Sequence, residues 1–241
     1  MPSDQKRTVS IVVPARDEAG NLELAVRAAL DAAGSFAQAV ELFIIDDGSR
    51  DSTGALADRM AAGDRRIRVI HHPASMGLGF SLREGFGLAL HEFLLWYPGN
   101  NGPDERSLQP MLERMGEADV ILSYIANPGY RTISRRFVSD LYTKMLNLLF
   151  GLNFKYYNGP AVYRTKAVRA VLASHTFRGG GTAFLAELLI RLASAGCSSL
   201  EISARQHRRP HGRSKAFTIK NTADMIRTVA RLFFDVRFRH A

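Results

Sequence analysis

The 241-residue sequence holds a single cysteine, Cys197, which excludes an internal disulfide framework and any metal site built from several thiolates. No apolar run reaches the ~20 residues that a membrane-spanning helix requires. No GxGxxG follows the first strand-like segment, and no GxxxxGK followed by Ser or Thr occurs. A dinucleotide fold with that glycine fingerprint and a phosphate-cradling P-loop are therefore disfavoured. GxSxG is absent too, so nothing suggests a serine nucleophile on a tight elbow. Residues 1–8 are polar and carry no apolar signal stretch, and the expected location is cytoplasmic.

Acidic residues are also scarce. Asp and Glu number 23 against 32 Lys and Arg, a formal net charge of +9. Most of the excess lies at one end: from Arg205 onward there are ten Lys and Arg but only Asp224 and Asp235. Such asymmetry points to an anionic partner, whether a phosphorylated ligand, an acidic membrane surface or nucleic acid, with a solvated basic face as the plain alternative. No RNA- or DNA-binding signature accompanies the charge, so nucleic acid is not expected.

What is present is an alternation. Thr8–Val13, Glu41–Ile45, Ile67–His71, Glu92–Tyr97 and Asp119–Ser123 are short, apolar and strand-like, with Pro14 expected to end the first. Between them, Asn21–Ala33, Ser52–Ala62, Leu78–Leu90 and a segment near Leu108–Met115 have helical spacing, and Asn21 is a plausible N-cap. Strands alternating with helices of this length imply a mostly parallel sheet between helical layers. The second half is less regular. It offers helices at Ile133–Phe150 and Ala183–Ala195, a strand at Ser199–Ala204 and a long basic helix or a pair at Phe217–Phe238. Phe137, Leu141, Met145 and Leu148 fall near one stripe of the first of these, expected to pack into the core.

In open parallel sheets ligands bind beyond the carboxyl ends of the strands. The groups there are Pro14 to Glu18, Asp46-Asp47-Gly48-Ser49, His71-His72 and Pro98 to Asn101. Two carboxylates after adjacent strands can accept hydrogen bonds from base or ribose. The same Asp-Gly-Ser composition also suits a tight turn and helix cap. His71, His72, His207 and His211 do not form a convincing zinc set.

Five segments carry a family resemblance. VSIVVPARDEAGNL (9–22), ELFIIDDGSRDST (41–53), GLGFSLREGFGLAL (77–90), FLAELLIRLASAG (184–196) and RRPHGRSK (208–215) resemble family 2 inverting glycosyltransferases. Within that family the resemblance is to the dolichol-phosphate mannose synthase-like, polyprenyl-phosphate branch. It covers roughly residues 8–220. It implies a GT-A fold, an α/β (Rossmann-like) mostly parallel sheet flanked by helices, over residues 1–216. A basic amphipathic helical segment, 217–241, would follow and contact a membrane surface or a partner.

The resemblance also implies roles. Pro14, Arg16 and Glu18 would flank the nucleotide of a sugar donor. Ile45 and Asp47 would contact base and ribose with Asp46 beside them, and Gly79 would allow close approach of the backbone. Arg209 and Lys215 would hold the donor diphosphate or an acceptor phosphate, as catalytic cations. Three places depart from the family pattern. A metal-binding DxD is replaced within LLWYPGNNGPDE (94–105), leaving Asn100 as a weak candidate ligand for Mg²⁺ or Mn²⁺. Ala126 stands where an Arg is usual, and Lys155-Tyr156 where an Asp is usual. The expected function is transfer of a sugar, a hexose in this branch, from a nucleotide sugar to an acceptor such as polyprenyl phosphate, with inversion. The alternative is a catalytically impaired nucleotide-sugar-binding or scaffold protein that lost the metal site. Expected partners are the donor, the acceptor, the acidic inner face of a membrane and a second copy of the chain.

Overall fold

The computed structural model describes residues 7–103, 105–127, 132–177, 181, 183–205 and 219–238. Seven strands form one sheet: β1 (Thr8–Ala15), β2 (Ala39–Asp46), β3 (Ile67–His71), β4 (Phe93–Trp96), β5 (Val120–Ile125), β6 (Ala161–Arg164) and β7 (Ser199–Ala204), in the order β3-β2-β1-β4-β6-β5-β7. All neighbouring pairs are parallel except the two made by β6, which runs antiparallel to both β4 and β5. The other six strands therefore point the same way, and their carboxyl ends share one edge.

Alternation along β1 separates two cores. Val9, Ile11 and Val13 face α1 (Leu22–Gly34), α2 (Thr53–Gly63) and α4 (Gln109–Glu113). Val12 faces the other way, toward α3 (Leu78–Leu88), α6 (Thr165–Ser174) and α7 (Ala183–Ser194). Both faces of a central parallel sheet are covered, which is why these strands read as continuous apolar runs. α3 lies unusually close to β1: a Cβ on Gly85 would overlap the Val12 side chain. That contact sets the height of α3 above the strand ends and so positions its N-terminus, Gly77 and Leu78, at the ligand edge.

Three sequence expectations are corrected. Pro14 does not end β1; it pairs with Ile45 in the β2 register. Its carbonyl accepts from Gly99 N at 3.1 Å, just past the last β1–β4 register pair, Val12 and Trp96. β6 and α6 were not expected at all. They form a strand of four residues running straight into a helix with no turn between.

The third correction concerns α5 (Ile133–Phe150). It buries Tyr142, Thr143 and Leu146, while Phe137, Leu141, Met145 and Leu148 are 67%, 56%, 38% and 85% exposed. The stripe is real but faces away from the core. α8 (Ile219–Phe238) is a single helix, one of the two forms the sequence left open, and packs on α7 with Val229 and Leu232 in the core. Arg191 of α7 bonds the buried Glu187 at 2.8 Å and Asp235 of α8 at 3.4 Å, fixing the two helices together. Burial raises the Glu187 carboxyl above its usual range, against the pull of Arg191.

Gly85→Ala should cost about 1–3 kcal/mol through overpacking against Val12. Urea unfolding checks this: an unchanged midpoint would mean that α3 can lift from β1 freely.

Candidate functional site

The ends of β1, β2 and β3 turn into loops that enclose a cleft of about 450 Å³. It is lined by Arg16, Asp46, Gly48, Ser49, Arg50, His71, His72, Pro73, Ala74 and Ser75. The β2–β3 register sets Asp46 against His71, so the two adjacent acids lie beside the two adjacent histidines.

Each histidine bridges two carboxylates. His71 Nδ1 lies 3.0 Å from Asp46 and its Nε2 3.0 Å from Asp58. His72 Nδ1 lies 2.8 Å from Asp47 and its Nε2 2.8 Å from Glu84 of α3. Only imidazolium can donate from both nitrogens at once. The bond to Asp46, then that to Asp58, raises the pKa of His71 against a smaller effect of burial. For His72 burial opposes the charge, but the bonds to Glu84 and Asp47 outweigh it and the pKa is again raised.

Asp47 is 5% exposed and fully engaged. Besides His72 it accepts from Ser75 Oγ at 2.7 Å, Met76 N at 2.7 Å and Gly77 N at 3.0 Å. Burial disfavours its ionised form, yet these donors prevail and hold its carboxyl below the usual range. The carboxylate thus pins the segment 75–77 that leads into α3. Gly77 has φ +93, open to glycine, and caps α3. Gly48, at φ +64, is required twice over, because a Cβ there would lie 2.6 Å from the Ala74 carbonyl carbon.

The loop after β1 is tied to the loop after β2. Asp17 N donates to Ser49 Oγ at 3.0 Å, Arg50 N to Asp17 Oδ1 at 2.8 Å and Glu18 N to Thr53 Oγ1 at 2.8 Å. Asn21 sits at the N-cap of α1, but its side chain donates to Glu18 at 2.7 Å instead of capping. Arg16 reaches across the cleft mouth and donates to Ser75 Oγ at 2.7 Å.

Of the residues singled out from the sequence, Arg16 and Asp46 line the cleft. Asp47 sits directly behind the wall, Glu18 braces the loop, and Pro14, Ile45 and Gly79 are buried. Arg209 and Lys215 lie outside the described residues, as do His207, His211, Asp104 and Arg131. The roles of Arg50, His71, His72 and Ser75 were not anticipated. The signal lay in the sequence: two histidines closing a strand that must pair beside the one ending in two aspartates.

The loop after β4 meets the end of β1 through Gly99, whose N–H donates to the Pro14 carbonyl at 3.1 Å. Asn100 Oδ1 accepts from Gly102 N at 2.9 Å, and Asn101 Oδ1 accepts from Tyr97 Oη at 3.4 Å. Both amide oxygens are neutral and occupied. Among the described residues no group of three His, Cys, Asp or Glu is placed to hold a metal ion. The two amides by themselves bring no negative charge to a divalent cation, which favours several oxygen ligands that carry it.

Asp47→Ala should cost about 3 kcal/mol or more, because it leaves His72 and two backbone N–H groups without their buried acceptor. The histidines give a pH dependence whose sign follows from their raised pKa values. Their stabilisation is full below the unfolded value of about 6.5 and is lost as pH rises through the folded values. Asp47 acts at the other end, stabilising above about 3.9 and losing effect as pH falls through its depressed value. Urea midpoints should thus decline on raising pH from about 6.5, and His72→Gln should flatten that decline. A decline unaltered in the variant would remove His72 from the account.

Comparison with known proteins bears on this geometry. The Glycosyl transferase family 2 profile matches residues 10–172. An undecaprenyl-phosphate mannosyltransferase of Micrococcus luteus is 26% identical over 215 residues, 86% of each chain. A polyprenol monophosphomannose synthase of Mycolicibacterium smegmatis is 37% identical over 81 residues, 33% of this chain and 29% of that one. The glycosyltransferase AglD of Haloferax volcanii is 37% identical over 115 residues, 46% of this chain but only 18% of the longer relative. Among solved structures, glucosyl-3-phosphoglycerate synthase of Mycobacterium tuberculosis, in complex with Mn²⁺, UDP and phosphoglyceric acid, superposes with a TM-score of 0.65 at 16% identity. That match covers 95% of this chain and 78% of that one. The likeness is one of fold, and it identifies the sheet and its helical layers as the GT-A arrangement. With the profile spanning more than half of its length, this chain belongs to glycosyl transferase family 2.

Proposed function

We propose that the chain transfers a sugar, a hexose, from a nucleotide sugar to a polyprenyl phosphate, with inversion at the anomeric carbon. The observation that carries this reading is the cleft at the ends of β1, β2 and β3, which Arg16, Arg50, His71 and Asp46 line together. A nucleoside diphosphate meets that chemistry: a carboxylate for base or ribose and cations for the diphosphate. The relatives named for undecaprenyl-phosphate mannosyl transfer and for polyprenol monophosphomannose synthesis support a lipid acceptor.

The mechanism needs little acid–base help. A phosphate monoester is already anionic near neutral pH, so an acceptor oxygen can attack the anomeric carbon without a strong base. Attack from the side opposite the departing diphosphate inverts the centre. Charge then develops on the leaving oxygens, where fixed cations stabilise it. Arg16 and Arg50 offer planar, bidentate donors. Arg209 and Lys215 are assigned to the same task on the acceptor or leaving phosphate. Residues 1–216 are taken as the transferase unit and 217–241 as a segment serving attachment.

A second reading is supported by one observation, the neutral and hydrogen-bonded Asn100 and Asn101 at the end of β4. On that reading the chain binds a nucleotide sugar without turning it over, as a binding or scaffold protein. Mn²⁺ and Mg²⁺ accompany UDP in structures of the M. tuberculosis synthase, so cation dependence is the property to test.

Thermal-shift assays with UDP- and GDP-sugars, with and without Mn²⁺, should show stabilisation by one donor that survives chelation. Stabilisation only with Mn²⁺ would overturn the cation-free assignment. Radiolabel transfer to a short-chain polyprenyl phosphate then divides transferase from binder. Lys215→Ala should lower turnover about tenfold or more by removing one fixed charge from the transition state. Normal turnover would put that residue outside the site.

A further inference from the structure

α5 presents an apolar face to water. Ile133, Phe137, Leu141, Met145 and Leu148 are 83%, 67%, 56%, 38% and 85% exposed, and their spacing aligns them along one side of the 18-residue helix. No residue from Ile133 to Leu141 is buried, so the first half of the helix stands clear of the body. Contiguous apolar surface of this kind on a folded domain marks a site of interaction.

Position and charge identify the occupant. β5 ends at Ile125 on the same sheet edge as β1 and β2, so α5 departs from the edge that carries the cleft. Arg136 and Lys144, both exposed, run along one flank of the stripe with Asp140 between them. α8 meets the C-terminal end of α5, where the Phe150 and Phe233 rings lie 6.3 Å apart. It adds Ile226 and Phe234, each 62% exposed, with the exposed Arg227 and Arg231 nearby. Two copies joined through this face would set like charges together in a chain of net charge +9. An anionic lipid surface meets both features: apolar side chains enter the headgroup–acyl boundary while the basic rim stays among the headgroups.

We propose that the outward stripe of α5, with the adjoining face of α8, docks the chain on an anionic bilayer and turns the cleft edge toward it. This rests on the reading of the acceptor as a lipid phosphate, since such an acceptor must be met at the membrane surface.

Flotation of the full chain with vesicles tests it. The wild-type chain should float with phosphatidylglycerol-containing vesicles and much less with pure phosphatidylcholine. Phe137→Glu combined with Leu148→Glu should reduce partitioning about tenfold or more, as loss of an interfacial apolar face requires. Arg136→Gln with Lys144→Gln should weaken only the binding to anionic vesicles. All these side chains are exposed, so the thermal midpoint should hold. Transfer to a water-soluble short-chain polyprenyl phosphate should also hold, while transfer to a long-chain acceptor in vesicles falls.

Wild-type chain that fails to float, or an apolar-face variant that floats equally well, would overturn the proposal. So would a dimer in size exclusion that the Glu variants dissolve while flotation is untouched. Flotation without transfer to the short acceptor would sink the glycosyl-transfer reading and leave the docking surface standing. Transfer without flotation would do the reverse.

Discussion

The cleft depends on one buried carboxylate. Asp47 joins the end of β2 to His72 at the end of β3, and to the backbone of Met76 and Gly77 at the start of α3. Three elements separated in sequence are thereby held to one point. A carboxylate this buried stays ionised only if donors replace water, and His72 supplies the balancing charge while itself being held by Glu84 of α3. The cycle Asp47–His72–Glu84 closes back onto the helix that Asp47 caps from outside. Gly48 is the companion constraint, since the turn between the two aspartates and Ser49 can only lie against Ala74 and Ser75 without a Cβ.

How far the sequence revealed this depends on the length of each signal. The first five strands and four helices were legible because each is an apolar run or a periodic stretch bounded by Gly, Pro, Asn or Asp. β6 was not. Four residues with no turn before Thr165 give neither alternation nor punctuation, and its place between β4 and β5 is decided by tertiary pairing alone. At the site the strand ends were legible and the division of labour was not. Asp46 and Asp47 are adjacent in sequence and alternate in direction, as strand geometry demands, so one lines the cleft while the other holds its wall. Composition could not assign which.

The β4 end illustrates how a motif can change character while the fold persists. Gly99 still approaches Pro14 so closely that a Cβ would lie 3.0 Å from its carbonyl oxygen, so the turn is preserved. The side chains that follow are amides whose oxygens serve the loop itself. Positive charge stands elsewhere, on Arg16 and Arg50, with His71 between two carboxylates. For the nucleoside diphosphate proposed above, Arg16 and Arg50 are the cations that line the cleft. The loops after β1, β2 and β3 that carry these side chains are the same loops that Asp47 and Asp17 fix in place.

The outward stripe of α5 follows from the same layering. The face of the sheet toward α3 is already filled by Phe86, Tyr163, Phe184 and Leu188, together with Val229 and Leu232 of α8. α5 adds Tyr142 and Leu146 to that core, with Leu149 and Phe150 partly buried against it. Hydrophobic periodicity reports that a helix has an apolar side, and it is silent on what that side meets. With the interior closed, the remaining side chains must face something outside the chain or stay in water at a continuing cost in free energy. That this surplus occurs on the helix after β5, and beside a basic helix, suits the acceptor proposed above, whose chain is apolar and whose head is anionic. The two ends of such a molecule require two adjacent surfaces, and the sheet edge and α5 are so arranged.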